Sequence, residues 1–229
     1  MPQDGSVTQM PFDLVARHVS PGTRLGEVLF GLIMTLTFTL GAGMLVGTAE
    51  GASTSLLVAA IGCNVAWGII DAALLLLGVV FDRSRLARLG NAIAGGHGGQ
   101  DALTLVANEL DETLVPITSE EQRSALYRHV VERVRSAPRQ PVRLTRSDWY
   151  AAISVFCLVF IASVPAAAPF ALIDDPWIAL RVSNALLIGL LFWVGYKWAR
   201  YTIFNPWLAG SALMGVGVLL VLIAIPLGG

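Results

Sequence analysis

The sequence predicts an all-α membrane protein: five transmembrane helices, with a small cytoplasmic helical domain between helices two and three. Three observations carry this. Five apolar runs of about 20 residues or more punctuate the 229-residue chain, and about 20 such residues cross the roughly 30 Å bilayer core. Only 14% of residues are charged and 55% are hydrophobic, with mean hydropathy +0.69, whereas a soluble domain carries about 25% charge. The charge that exists is concentrated. Residues 83–147 hold ten of the 15 cations, all arginine, beside seven acids.

Residues 1–24 form a polar N-terminal tail. Phe12, Val15 and Val19 recur in it at helical spacing. Two readings stay open: a short ordered helix, or an amphipathic helix lying on the membrane. Residues 25–82 hold the first two spans, predicted at 25–46 and 56–80. In the first, Thr35, Thr37 and Thr39 are placed to bond back to helix carbonyls. Gly41, Gly43 and Gly47 are small positions suited to close helix contact.

Residues 83–147 read as short helices. Leu86, Leu89 and Ile93 mark the first, which the glycine-rich run 95–99 breaks. Leu103, Val106, Leu110 and Leu114 stripe the second. Thr118 and Glu121 make a capping-box pattern for the third, with Leu126, Val130 and Val134 on one face. Residues 148–229 supply the last three spans, at about 149–173, 177–196 and 207–227. Pro165 and Pro169 sit near the far end of the third span, where proline kinks or unwinds a helix.

Cation bias sets the expected orientation. Arg17, Arg24, the arginine-rich segment, Lys197 and Arg200 fall on one side of a five-span chain. That places the N-terminus and helical domain in the cytoplasm and the C-terminus outside. Arg181 is the exception, expected to snorkel toward Asp174 and Asp175. With net charge −1, no electrostatic case for a nucleic-acid partner exists. Cys63 and Cys157 lie in apolar runs and form no metal or disulfide framework. No phosphate loop, nucleophile triad or HExxH motif is present, so no catalytic residues, enzyme activity or obligatory cofactor are expected. Arginine in place of lysine, with abundant Ala, Gly, Val and Leu, points to a bacterial cell (inner) membrane.

The candidate transport pathway centres on Asp71. An aspartate at the centre of a membrane helix costs roughly 2.5–3.5 kcal/mol on insertion scales, and such groups mark ion paths by default. The plainer reading is a structural hydrogen bond or a neutral buried carboxyl. Asn64 lies two turns earlier on the same face; an interhelical hydrogen bond and pathway lining are equal readings. Glu27 enters the first span at the cytoplasmic half where the second span returns. A Glu27–Asp71 pair with the Met34 sulfur would suit Fe²⁺ or Mn²⁺. The plainer readings are a solvated first-turn acid for Glu27 and core or lipid packing for Met34. In the helical domain, Glu109 and Glu112 form an ExxE pair that, with Asp111, Glu120, Glu121, His129 and Glu132, could gather divalent cations; interleaved with arginines, the same residues read more plainly as a solvated face. Arg181 and Asn184 support the outer end of the fourth span as structure or gate, as Pro165 and Pro169 do for the third.

The layout resembles the vacuolar iron transporter family: five spans with a cytoplasmic helical domain after the second. Glu27-Val28-Leu29-Phe30-Gly31 is similar to that family's opening of the first span. The segments around Val164-Pro165 and Pro169-Phe170 are similar to its third-span proline pair, and Asn205-Pro206 with Gly210 and Gly215 to its last span. The resemblance implies iron or manganese export from the cytoplasm. It also implies departures. Met34 falls near the family's first-span acid, and Asp71 near its second-span methionine, so acid and thioether are exchanged between spans. The family's metal-binding domain uses repeated ExxE pairs and methionines; here there is one ExxE pair and no methionine. The expected function is a membrane transporter of divalent cations, with proton coupling through Asp71. Five spans are few for one pathway, so a homodimer is expected. The alternative is a non-transporting membrane scaffold or sensor whose helical domain binds a partner.

Overall fold

The computed structural model describes residues 19–46, 52–95, 99–137 and 141–224. Its elements are helices: α1 (Pro21–Val46), α2 (Ala52–Gly95), α3 (Gly99–Leu114), α4 (Glu120–Ser136), α5 (Arg146–Leu172), α6 (Pro176–Ala199) and α7 (Pro206–Ala224). Five of them, α1, α2, α5, α6 and α7, are long and apolar enough to cross a membrane. The protein is thus an all-α, multi-pass membrane protein. Most of the N-terminal tail, including Phe12 and Val15, lies outside the described residues, as does His97. The first helix begins four residues before the expected 25. Ser20 caps it, with Oγ accepting from Thr23 N at 3.1 Å, and Pro21 follows in the first position, where its missing N–H costs nothing.

The chain parts into two compact units, residues 1–75 with 146–229, and residues 76–145. In the first unit, α1, α5, α6 and α7 pack around Leu32, Leu36, Ala166, Leu187, Leu191 and Val194, all nearly inaccessible. Small residues decide how closely the helices meet. A Cβ on Gly31 would stand 2.8 Å from Ala162 Cβ, and one on Gly210 would stand 2.9 Å from the Phe192 carbonyl oxygen. These contacts correct the expected interface glycines. A Cβ on Gly41 or Gly215 would meet nothing within 4 Å, while Gly43 and Gly47 lie outside the described surroundings; the close approaches are at Gly31, Gly195, Gly210 and Gly217. The threonines behave as expected, with Thr35 Oγ1 donating to Gly31 O at 2.7 Å and Thr39 Oγ1 to Thr35 O at 2.8 Å.

Pro165 and Pro169 both lie inside α5, which continues to Leu172. Ser183 Oγ of α6 donates to Ala166 O at 2.9 Å within this proline segment. The α5–α6 corner is fixed by Asp175, whose Oδ1 accepts from Trp177 N at 2.8 Å and Ile178 N at 3.0 Å. Arg181 does not reach out to the aspartates as expected. Its guanidinium lies 5.6 Å from the centroid of the Trp177 ring, a cation–π contact available one turn away.

The second unit packs the end of α2 against α3 and α4 through Ile93, Ala102, Val106, Tyr127 and Val131. Two local expectations shift here. A break between the second span and the Leu86–Ile93 stripe is absent: α2 runs unbroken for 44 residues to Gly95. A change from apolar to charged side chains leaves the backbone ladder intact, and Arg, Leu and Ala all favour helix. The α4 cap is Ser119 with Gln122, not Thr118 with Glu121. The two overlapping pairs compete, and Thr118 instead donates to Leu114 O. The buried face of α4 is correspondingly Tyr127 and Val131, while Leu126 is exposed.

Candidate functional site

The polar residues of the second span meet α1 and α5 along an antiparallel seam. At its deep end, Asn64 is fully buried. Its Nδ2 donates to Thr35 Oγ1 at 2.6 Å and, at 3.5 Å, to Val159 O. One turn on, Phe30 and Trp67 meet edge to face at 5.7 Å. Gly68 lets α5 approach, since a Cβ there would lie 3.0 Å from the Phe156 ring and 3.2 Å from its carbonyl oxygen. One turn further along each helix come Glu27 on α1 and Asp71 on α2. Both are half-buried.

The three levels follow from sequence. Glu27, Phe30–Gly31 and Thr35 rise along α1 as Asp71, Trp67–Gly68 and Asn64 descend along α2, each step about one helical turn. The same register places Met34 level with Asn64, about 10 Å along the axis from the carboxylates. Helical rise thus sets Glu27 level with Asp71 and leaves Met34 about two turns from both. Asn64 takes the hydrogen-bonding role of its two readings. It clamps three helices, and one oxygen is left over.

Two acceptors on this seam, Asp71 Oδ2 and Asn64 Oδ1, are buried without a hydrogen-bond partner among the described residues. An unpaired buried acceptor costs about 1–3 kcal/mol, and more for a charged group. Arg24 Nε, one turn before Glu27, is a buried donor in the same state. In the sequence Arg24 counts only toward the cation bias, because a cation beside a membrane entrance is ordinary. At the opposite end of the bundle, Asn184 is buried with Oδ1 unpaired.

The seam offers two carboxylates to a cation. Among the described residues, no three His, Cys, Asp or Glu side chains converge on one point. In the helical unit the ExxE pair is divided: Glu109 bonds Arg85, while Glu112 is exposed. Asp111 accepts from Tyr127 Oη at 2.6 Å and lies 3.9 Å from Arg123. That hydrogen bond to the Asp111 carboxylate holds the Tyr127 phenol above its usual pKa. These acids are engaged in holding α3 to its neighbours.

Thr35 as the partner of Asn64 was not foreseen. The signal was present: a polar residue on each of two neighbouring spans at matching depth. No protein-family model matches this chain, and no curated protein matches it in sequence.

Proposed function

We propose that this chain is a transporter of divalent metal cations, iron or manganese, moving them out of the cytoplasm across a bacterial cell membrane. The observation that carries the reading is Asp71 Oδ2, buried in the second span without a hydrogen-bond partner among the described residues, with Glu27 at the matching level of α1. Two carboxyl groups inside a span repel when ionised and hold only part of a coordination shell, and a divalent cation relieves both deficits. A hard-oxygen pair suits Mn²⁺ and Fe²⁺. Since one protomer supplies two carboxylates, a homodimer sharing the pathway completes the shell. Protonation of Asp71 would release the ion and deprotonation would recapture it, which couples transport to protons. The resemblance to the vacuolar iron transporter family supports the substrate class and direction.

The test is Mn²⁺ and Fe²⁺ flux in proteoliposomes. Asp71→Asn, which keeps shape and removes charge, is expected to lose most of the flux. A variant as fast as the parent would sink the role.

A second reading has its own support. Asn64 donates to Thr35 and Val159, so polar groups on α2 do act as staples. If Asp71 serves the same end, the chain is a membrane scaffold or sensor whose helical unit binds a partner. The flux assay separates the two, because a scaffold moves no ion.

A further inference from the structure

The second unit contains the last apolar turns of α2 as well as its arginines. Leu77 and Phe81 are 64% and 68% exposed, and the apolar run of the second span ends with Phe81, before Asp82 and Arg83. The bilayer edge therefore falls near Phe81–Asp82. Arg83, Arg85 and Arg88 follow at about 3, 6 and 10 Å along the helix, while the headgroup layer is about 5–8 Å deep on each side. Direction matters too. Side chains tilt toward the N-terminus of their helix, and α2 leaves the membrane C-terminus first. Its arginines therefore lean back toward the bilayer.

Arg85, Arg88, Leu89 and Ala92 form one stripe of α2. With Glu109 of α3 they line an open cleft of about 230 Å³. Glu109 bonds Arg85 and so holds one wall. Arg88 carries no ion pair among the described residues. Arg83 donates to the Arg143 carbonyl oxygen at 2.8 Å, which brings a fourth arginine beside the first. Of the lining residues, Arg85 and Arg88 are the cations and Glu109 is the acid. The lining is a cationic wall over an apolar floor of Leu89 and Ala92, the two halves of a phospholipid's surface region.

We propose that this cleft binds the headgroup phosphate of an anionic phospholipid in the adjoining leaflet, with Arg88 as the principal phosphate ligand and Arg83 at the lip. Guanidinium matches phosphate oxygens with paired N–H donors. The bound lipid stabilises the helical unit at the membrane surface, whatever the chain transports.

The test uses the full-length protein in detergent, read by thermal unfolding midpoint and by lipid retained in native mass spectrometry. Phosphatidylglycerol is expected to raise the midpoint and stay bound, and phosphatidylcholine to do neither. Arg88→Gln should weaken phosphatidylglycerol binding about tenfold, while Arg133→Gln, an exposed arginine on α4, leaves it unchanged. If Arg88→Gln does not fold, Arg88→Lys keeps the charge without the fork and should weaken retention several-fold. Equal stabilisation by phosphatidylcholine overturns the proposal. So does an equal shift from inorganic phosphate alone, which would make the ligand a free oxyanion. Loss in Arg133→Gln as large as in Arg88→Gln would reduce the effect to net charge and overturn it as well.

Discussion

The two units treat polar groups in opposite ways. In the helical unit, water is at hand and unpaired groups would cost little, yet two of its acids are engaged: Glu109 by Arg85, Asp111 by Tyr127 and Arg123. In the membrane unit an unpaired group is most expensive, and there the orphans collect. Arg24 Nε, Asn64 Oδ1, Asp71 Oδ2 and Asn184 Oδ1 are the buried side-chain atoms without partners among the described residues. Stability alone would arrange this the other way round. The difference teaches that polarity in the spans is of two kinds. Thr35, Thr39 and Ser183 are satisfied by carbonyls and serve packing. Asp71, like Asn64 and Asn184, is left with one oxygen unsatisfied among the described residues.

Four perturbations break or sharpen this contrast. The largest effect is expected where helix backbones meet closely. Gly210→Leu forces a side chain into the Phe192 backbone, and overpacking of this kind costs about 1–3 kcal/mol; the unfolding midpoint in detergent should fall sharply. Gly215→Leu, where a Cβ meets nothing within 4 Å, should leave it unchanged. Next comes the clamp. Asn64→Leu removes the bond to Thr35, and interhelical hydrogen bonds in membranes average about 0.6 kcal/mol and reach about 1.7. A loss in that range, measured by reversible unfolding in mixed micelles, marks Asn64 as a staple; none would return it to the pathway.

In the helical unit the effects are smaller. A double-mutant cycle on Arg85 and Glu109 should give a coupling of about 0.2–1 kcal/mol, as for exposed pairs, shrinking at high salt. The smallest effect depends on pH. Tyr127 keeps its proton above the ordinary tyrosine value of about 10, because its phenol donates to Asp111. A folded pKa above the unfolded one contributes stability in full below about pH 10, which is lost as pH rises through the folded value. The advantage of the parent over Tyr127→Phe in thermal unfolding should be constant from pH 7 to about 9.5 and then shrink.

The spans were legible because length and hydropathy are sums over about 20 residues, and no single neighbour can overturn a sum. Asp71 was legible for the reason that makes it costly. Its nearness to Glu27 followed from topology, since one helix enters where the other returns. Register was not legible. Gly31 and Gly41 have the same composition signature, and only the position of α5 decides which one is crowded. Thr118 and Ser119 offered two overlapping caps, and the choice turned on whether Leu114 O was free to accept. Met34 looked like a ligand because it shares a helix face with Glu27. Two turns of rise put it out of reach.

The central claim is that Asp71 is kept for an ion at the expense of the fold. The direct measurement is thermal stability of parent and Asp71→Leu in detergent, each with and without Mn²⁺. The account predicts that Asp71→Leu is at least as stable as the parent without metal, and that Mn²⁺ stabilises only the parent. An Asp71→Leu protein that unfolds readily, from a parent indifferent to Mn²⁺, would contradict it and make the carboxylate a staple.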